Sequence, residues 1–314
     1  MDNTYTNIKN LPIPQLQDLP DEIILQIFSF LPKQDLSKVA QVSKRTSVIA
    51  KDPYLWRRVS FWRKKVTTSF LQQVINRKCK FLSLHNAEVE GTLNLNEHST
   101  LETLDISGCK ANEGVLEELL GSCHSLEKFA MMNLAVSSGM ITNICEQNGT
   151  TLVALNMGQC REVPLNSIEL IINNCARLKS LNLYNVRISE TAVNDLMNFL
   201  NPNIESLCFG FRHVVKDSHV EILLKRCKKI KHLGIISCGI SNMSVTHIVN
   251  HLKETLSRLD LSAQHISSGK LDDLKSMQRL KFLKCLYIRY NGRRSAEVNR
   301  LRILLPNVRQ WHLS

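Results

Sequence analysis

The 314-residue chain is basic and moderately apolar, with a formal net charge of +12 and 43% hydrophobic residues. No apolar run approaches the ~20 residues that a membrane-spanning helix requires, and the N-terminus lacks the basic and apolar segments of a secretory signal. We therefore expect a protein of the cytoplasm or nucleus, with no membrane partner, in which the 10 cysteines stay reduced.

The chain opens with a predicted flexible leader, residues 1–17, followed by three predicted short helices. Pro20 suits the first turn of the first helix, and Pro32 ends that helix. The other two helices are predicted at 35–41 and 43–51. About forty residues with this much apolar surface cannot bury all of it alone, so the surplus must face the rest of the chain or a partner.

Residues 18–60 resemble an F-box. The matching residues are Leu19, Pro20, Asp21 and Glu22, then Ile27 to Leu31, then Leu36, Val42, Lys44, Arg45, Leu55 and Trp56. In that family a three-helix module docks on the small Skp adaptor of SCF ubiquitin ligases. The resemblance implies an adaptor-binding surface made of Pro20, Ile24, Ile27, Phe28, Leu31, Leu36, Val39 and Trp56.

The third helix departs from the family pattern. Members commonly have a tryptophan where this chain has Thr46, a change that should loosen the packing of the helix. An alternative to the F-box reading is that residues 18–60 only cap the end of the following domain. Residues 61–78 form a predicted linker that covers the N-terminal end of the solenoid. Its basic and aromatic residues could suggest a nucleic-acid site, but the simpler interpretation is that Trp62 and Phe70 cover the first repeat.

From residue 79 to 314 the pattern L-x-x-L-x-L recurs with conservative replacements. Its ten copies start at Cys79, Leu101, Leu126, Leu152, Leu178, Ile204, Ile230, Leu256, Leu283 and Val308. The starts are 22 to 27 residues apart, a period typical of leucine-rich repeats. Each copy begins with the alternation of a short strand and continues with helical spacing. The predicted fold is therefore α/β: a three-helix F-box followed by a solenoid of about ten repeats, with a parallel sheet on its concave face.

The strand alternation also separates core positions from partner-facing ones. Within each copy the residues two, four and six places after the start face the concave surface. The candidate substrate-binding residues on or beside this surface are Tyr184, Ile236, Arg258, Tyr287, Arg289, Arg293 and Arg294. Tyrosine and arginine dominate binding energies at interfaces, and arginine grips carboxylate or phosphate in a bidentate manner. Alternatively, these outward positions have no binding role and simply accept any residue that is compatible with a solvent-exposed surface.

No catalytic or metal-binding motif is evident. The pair His247 and His251 has helical spacing but lacks the glutamate of a zinc-protease motif. No cysteine grouping has zinc spacing, and no glycine-rich phosphate loop occurs. Six cysteines keep a fixed place in the repeat, which indicates packing: Cys109, Cys123, Cys160, Cys175, Cys227 and Cys238. We therefore predict a protein that is not an enzyme and has no cofactor or metal.

The charge excess lies entirely in the C-terminal third. Residues 213–314 hold 19 of the 40 basic residues and only 7 of the 28 acidic ones. This asymmetry fits either an acidic or phosphorylated partner or a solvated basic flank. The chain ends on the tenth predicted strand without a polar capping segment, so either residues 300–313 cover that edge or the sequence is truncated.

An F-box followed by leucine-rich repeats resembles the F-box/LRR substrate receptors of SCF ligases, and the plan is similar to that of the S-phase kinase-associated receptor subfamily. The resemblance implies that the F-box docks the Skp-type adaptor with its cullin and RING subunits. The horseshoe would then hold a protein substrate for ubiquitination and proteasomal degradation. Two alternatives stay open: a ligase-independent interaction scaffold that uses the solenoid alone, and a nucleic-acid binder that uses the basic C-terminal third.

Overall fold

The computed structural model describes residues 15–211, 214–264, 266–285 and 293–313. A 3₁₀ turn at Leu16–Asp18 comes first. Four helices follow it: α1 (Asp21–Ser29), α2 (Lys33–Val39), α3 (Lys44–Ala50) and α4 (Pro53–Trp56). Within the described ranges, no helix is long and apolar enough to cross a membrane.

Most of the N-terminal helices begin and end within one or two residues of their predicted bounds. Pro32 immediately precedes α2, so the helix starts two residues earlier than predicted. The place of the family tryptophan is taken by a capping box at the start of α3. The backbone nitrogen of Thr46 donates to Ser43 Oγ at 3.1 Å, and the backbone nitrogen of Ser43 donates to Thr46 Oγ1 at 3.1 Å. Thr46 is buried and caps the helix through this pair of hydrogen bonds, so it has a structural role of its own at the family tryptophan's position.

Short strands and returning helices alternate through the rest of the described chain. The strands are β1 (Arg58–Ser60), β2 (Lys65–Thr67), β3 (Phe81–Ser83), β4 (Glu88–Glu90), β5 (Thr103–Asp105), β6 (Lys128–Ala130), β7 (Ala154–Asn156), β8 (Ser180–Leu183), β9 (Ser206–Phe209), β10 (His232–Ile235), β11 (Arg258–Asp260), β12 (Phe282–Cys285) and β13 (Gln310–Leu313). The helices are α5 (Thr68–Asn76), α6 (Glu113–Gly121), α7 (Ser138–Asn148), α8 (Ser167–Asn174), α9 (Glu190–Phe199), α10 (Asp217–Arg226), α11 (Asn242–Leu252) and α12 (Arg294–Leu304), with a 3₁₀ segment at Ser268–Ser276.

Eleven of the described strands form one parallel sheet in the order β1-β3-β5-β6-β7-β8-β9-β10-β11-β12-β13, and β2 pairs with β4 separately. The register places the same repeat position side by side: Leu181 pairs with Leu155 on one side and with Leu207 on the other. These leucines are buried, so each coil shares its apolar core with the next. The predicted leucine-rich-repeat fold is confirmed.

The helices contribute the other half of this core. Val193, Leu196 and Met197 on α9 are buried, as their helical spacing predicts. The six cysteines with a fixed place in the repeat are also buried, which confirms their packing role.

The chain leaves the strands through a left-handed turn at a fixed repeat position. Asn86, Asn133 and Asn185 have positive φ there, at 53°, 55° and 57°. Gly108 holds the same position at 61°. Asparagine and glycine tolerate this conformation better than other residues, but glutamine, serine and alanine also adopt it at the same position of other repeats, so the repeat geometry itself imposes the turn.

Residues 61–78, predicted as a linker that covers the N-terminal end of the solenoid, contain β2 and α5 and form part of the first coil. Val59 in β1 pairs with Leu82 in β3, and α5 follows with Leu71 buried. The first coil lacks the leucine pattern because Trp56, Val59 and Phe61 occupy its anchor positions. Trp62 is exposed and does not cover the core, whereas Phe70 packs edge-on against Phe61 with ring centroids 5.8 Å apart.

The last described coil continues the solenoid. Arg300 on α12 forms an ion pair with Asp272 at 2.5 Å, which ties the helix to the preceding 3₁₀ segment, and a second ion pair with Glu297 of the same helix at 2.9 Å. Residues 310–313 form β13, which pairs with β12. The C-terminal stretch therefore forms the strand that the tenth copy of the pattern predicts.

Candidate functional site

Helix α1 carries two apolar stripes on different sides. Ile24 and Phe28 lie four residues apart and are buried in the helical module. Ile23, Ile27 and Phe30 lie at i, i+4 and i+7 and are exposed by 42%, 41% and 83%. We call this outward stripe the α1 face. Three exposed large apolar residues on one short helix are typical of a surface that binds a partner.

The structure corrects half of the predicted adaptor-binding residues. Four of the eight have almost no exposed surface and hold the module together: Ile24, Phe28, Leu36 and Trp56. Pro20 and Ile27 are exposed, while Leu31 and Val39 are half-buried. The predicted site left out Ile23 and Phe30, which are exposed beside Ile27. Their spacing from Ile27 is the signal that could have identified them.

Arg45 fixes the start of α1 against α3. Its guanidinium donates to the backbone oxygens of Gln17 at 2.6 Å and Leu19 at 2.5 Å, and to the Asp21 carboxylate at 2.8 Å. Because these groups are exposed, the ion pair itself stabilises little. The fork of the guanidinium nevertheless sets the position of α1 and of its outward face.

The centre of the concave surface is shallow because its side chains are small. A cavity of about 360 Å³ lies across β5 to β9, with Ala154, Ser180 and Ser206 among its lining residues. Asp105 and Lys128 line it toward the N-terminal coils. Such a surface leaves room for an extended partner segment.

Several polar residues of this surface are already used by the fold. Asn182 Oδ1 accepts a hydrogen bond from the backbone nitrogen of Tyr184 at 2.9 Å. Asp105, in the same repeat position, accepts one from Ser107 at 2.9 Å. These side chains brace the turn after each strand, so they are less available to a partner than the alternation alone suggests.

Tyr184 and Ile236 flank one position of the concave surface. A Cβ atom added to Gly210 would lie 3.1 Å from Tyr184 Cδ2 and 2.6 Å from the backbone oxygen of Ile236. Glycine therefore permits a close approach between three successive coils. We call Tyr184, Gly210 and Ile236 the concave patch; both predicted substrate-binding residues in it are half-buried.

The predicted C-terminal arginines do not form one cluster. Arg258, at the start of β11, lies 4.5 Å from the ring centre of Phe282. Arg294 instead donates to the backbone oxygen of Leu313, at the opposite end of a strand, at 2.7 Å. Arg293 is exposed at the start of α12. The predicted Tyr287 and Arg289 lie outside the described residues.

The titratable groups on this surface have ordinary structural partners. Burial lowers the pKa of His232, and the adjacent Arg258 lowers it further. Lys284 forms an ion pair with Asp260 at 3.0 Å. The Nε2 of His247 lies 4.0 Å from the Glu221 carboxylate. Over the described ranges, no group of three or more potential metal ligands occurs.

Comparison with known proteins decides the family. Residues 69–307 match the SKP2 LRR domain family, and residues 16–62 match the F-box-like family. The chain belongs to the F-box/LRR-repeat proteins. Members of this family are generally adaptor receptors rather than enzymes.

Curated F-box/LRR-repeat relatives are distant but similar over most of the chain. F-box/LRR-repeat protein 21 of Bos taurus is 24% identical over 297 residues, which cover 84% of this chain and 67% of that protein. The Ovis aries protein 21 is 22% identical and covers 80% and 64%. F-box/LRR-repeat protein 12 of Homo sapiens is 23% identical and covers 86% and 78%. The chain thus spans about two thirds of the length of the protein 21 relatives.

Among solved structures, the chain is similar to two leucine-rich internalins of Listeria monocytogenes. The alignment with internalin F covers 98% of this chain and 99% of the internalin chain, with a TM-score of 0.46 and 13% identity. Internalin C2 covers 68% and 80%, with a TM-score of 0.45 and 16% identity. The F-box-like match ends inside the first coil of this F-box/LRR-repeat protein, just after β1.

Proposed function

We propose that this F-box/LRR-repeat protein is the substrate-binding subunit of an SCF-type ubiquitin ligase in the cytoplasm or nucleus. The observation that supports it most is the exposed α1 face inside a segment that matches the F-box-like family. A Skp-type adaptor would cover Ile23, Ile27 and Phe30, and through it the chain would join cullin and RING subunits. Covering the parts of these three side chains that are still exposed supplies on the order of a few kcal/mol, since complete burial of an exposed side chain is worth about 1.5–3 kcal/mol.

The solenoid supplies the second binding surface. Its concave patch and central cavity would hold a segment of the substrate. The chain itself performs no chemistry in this scheme. It raises the local concentration of the substrate near a ubiquitin-loaded enzyme, because both are bound to one assembly.

Two matched variants test the two surfaces separately. Tagged full-length chain is purified from cells in which the proteasome is inhibited, and the bound proteins are identified. Ile27→Asp with Phe30→Asp should lose adaptor, cullin and RING subunits but keep the substrate proteins. Tyr184→Ala with Ile236→Ala should show the reverse. If the α1 variant keeps the ligase subunits while folded, the proposal fails. Cullin-free capture by the wild type would favour a ligase-independent scaffold.

A further inference from the structure

The guanidinium groups of two arginines on neighbouring coils have no partner within the described residues. Arg161 and Arg187 occupy equivalent repeat positions, and the Arg187 backbone nitrogen donates to the Arg161 oxygen at 3.3 Å. Their backbones are thereby held side by side. Neither guanidinium forms an ion pair or a hydrogen bond with another residue in the described ranges. By contrast, the guanidinium groups of Arg45 and Arg300 donate hydrogen bonds to neighbouring coils or helices.

These two arginines line a pocket of about 510 Å³ on the rim where the strands end. Its apolar floor is firm. Val186 and Phe211 are buried, and Phe211 stacks on Phe209 with ring centroids 5.6 Å apart. Both arginines are exposed, so an anion bound in the pocket would interact with their charges at an effective dielectric of about 20, as is typical near a protein surface.

The pocket continues into the concave patch. Gly210 lines the pocket and also separates Tyr184 from Ile236. A peptide side chain in the pocket would therefore lie next to a residue that contacts Tyr184. An extended peptide could therefore place an anionic side chain in the pocket and an apolar side chain, one or two residues away, on the concave patch.

We propose that Arg161 and Arg187 bind an acidic side chain of the substrate, whose neighbouring apolar residue rests on the concave patch. The inference rests on the proposed function in so far as the ligand is a substrate segment. The shared chemistry is a planar carboxylate or a phosphate, since both accept two parallel hydrogen bonds from a guanidinium. The basic excess of the C-terminal third is not required for this site.

The test uses purified full-length chain without adaptor, so a failure of adaptor docking cannot affect it. The probe is an array of random heptapeptides whose central residue is fixed as glutamate, phosphoserine, glutamine or lysine. Wild type should retain the glutamate or the phosphoserine set about tenfold more strongly than the glutamine set, the change expected for one charge-assisted contact. The better of the two acidic sets identifies carboxylate or phosphate as the ligand.

Arg161→Gln with Arg187→Gln should abolish this preference. The matched control is Arg279→Gln with Lys281→Gln, which removes two exposed charges from a basic pocket of about 320 Å³ at the strand-start rim. The control should keep the preference, and thermal unfolding should confirm that both variants are folded. The proposal is overturned if wild type shows no preference, if the pocket variant keeps it, or if the control loses it equally. Preferential loss of duplex DNA binding by the pocket variant would also overturn it, in favour of a nucleic-acid site.

Discussion

The guanidinium of Arg77 lies 3.9 Å from the ring centre of Trp56. Trp56 ends the last helix of the F-box, and Arg77 follows the first helix of the solenoid. The indole nitrogen of Trp56 also donates to the backbone oxygen of Ala50 at 2.7 Å. One buried side chain thus connects α3, α4 and α5, so the F-box and the repeats share a continuous core. A receptor that must hold its substrate at a set position needs such a rigid joint.

Trp56→Ala should therefore destabilise the chain by about 3–5 kcal/mol, because a large buried side chain and its hydrogen bond are both lost. Urea unfolding of the full chain measures the change. The control is Trp62→Ala, since Trp62 is exposed and its removal should shift the free energy of unfolding by less than about 0.5 kcal/mol. Equal effects of the two substitutions would mean that Trp56 does not join the domains.

Asp217 on α10 caps the following helix and should make stability depend on acid pH. Burial alone would raise the pKa of Asp217, but hydrogen bonds from Ser244 and Ser241 outweigh it and lower the pKa. The nitrogen and hydroxyl of Ser244 lie 2.9 Å and 2.5 Å from Asp217 Oδ1. A lowered folded-state pKa stabilises the fold above the unfolded value of about 3.9, and this contribution disappears as the pH falls through the folded value.

Asp217→Asn should accordingly cost about 1–2 kcal/mol at pH 7. The difference from wild type should shrink as the pH falls from about 4, where the Asp217 carboxylate of the unfolded chain is protonated, through the lower folded-state pKa. Asp195→Asn, at an exposed position on α9, should have no such effect. A difference for Asp217→Asn that stays constant on acidification would contradict the assignment.

Gly149 marks a close approach between the backbones of two coils. A Cβ atom there would lie 2.5 Å from the backbone oxygen of Asn174 on the next coil, and backbone cannot move aside as a side chain can. Gly149→Ala should destabilise by about 1–3 kcal/mol through overpacking. Gly114→Ala, on α6 with its nearest neighbouring atom 3.6 Å away, should instead be neutral or stabilise by up to about 1 kcal/mol. Thermal unfolding of both variants decides, and a harmless Gly149→Ala would contradict the packing.

Periodicity was sufficient to predict the solenoid but not its first coil. Leu181 and Leu207 stand 26 residues apart and pair in the sheet, because identical coils must stack in register. Val59 occupies the same position in β1 and pairs with Leu82, but the first coil has valine where the repeat pattern has leucine, so the pattern does not identify it. The F-box segment was likewise predictable from its residues.

Sequence reasoning could not separate the inward stripe of α1 from the outward one. Phe28 and Phe30 are both phenylalanine on the same helix, but one is buried and the other is 83% exposed. Only the positions of α3 and α4 decide which stripe is covered. The unpartnered state of Arg161 and Arg187 was equally inaccessible, since it depends on which side chains neighbouring coils bring near them.

The most direct test of the proposed receptor role is a binding measurement with purified proteins. The full chain and an equimolar Skp-type adaptor are mixed and separated on a sizing column with light scattering. Wild type and Leu165→Asp, which changes an equally apolar but remote residue with 91% exposure, should each elute as a 1:1 complex. Ile27→Asp with Phe30→Asp should elute as a folded monomer beside free adaptor. A wild-type chain that elutes apart from the adaptor, or a double variant that still binds it, would contradict the account.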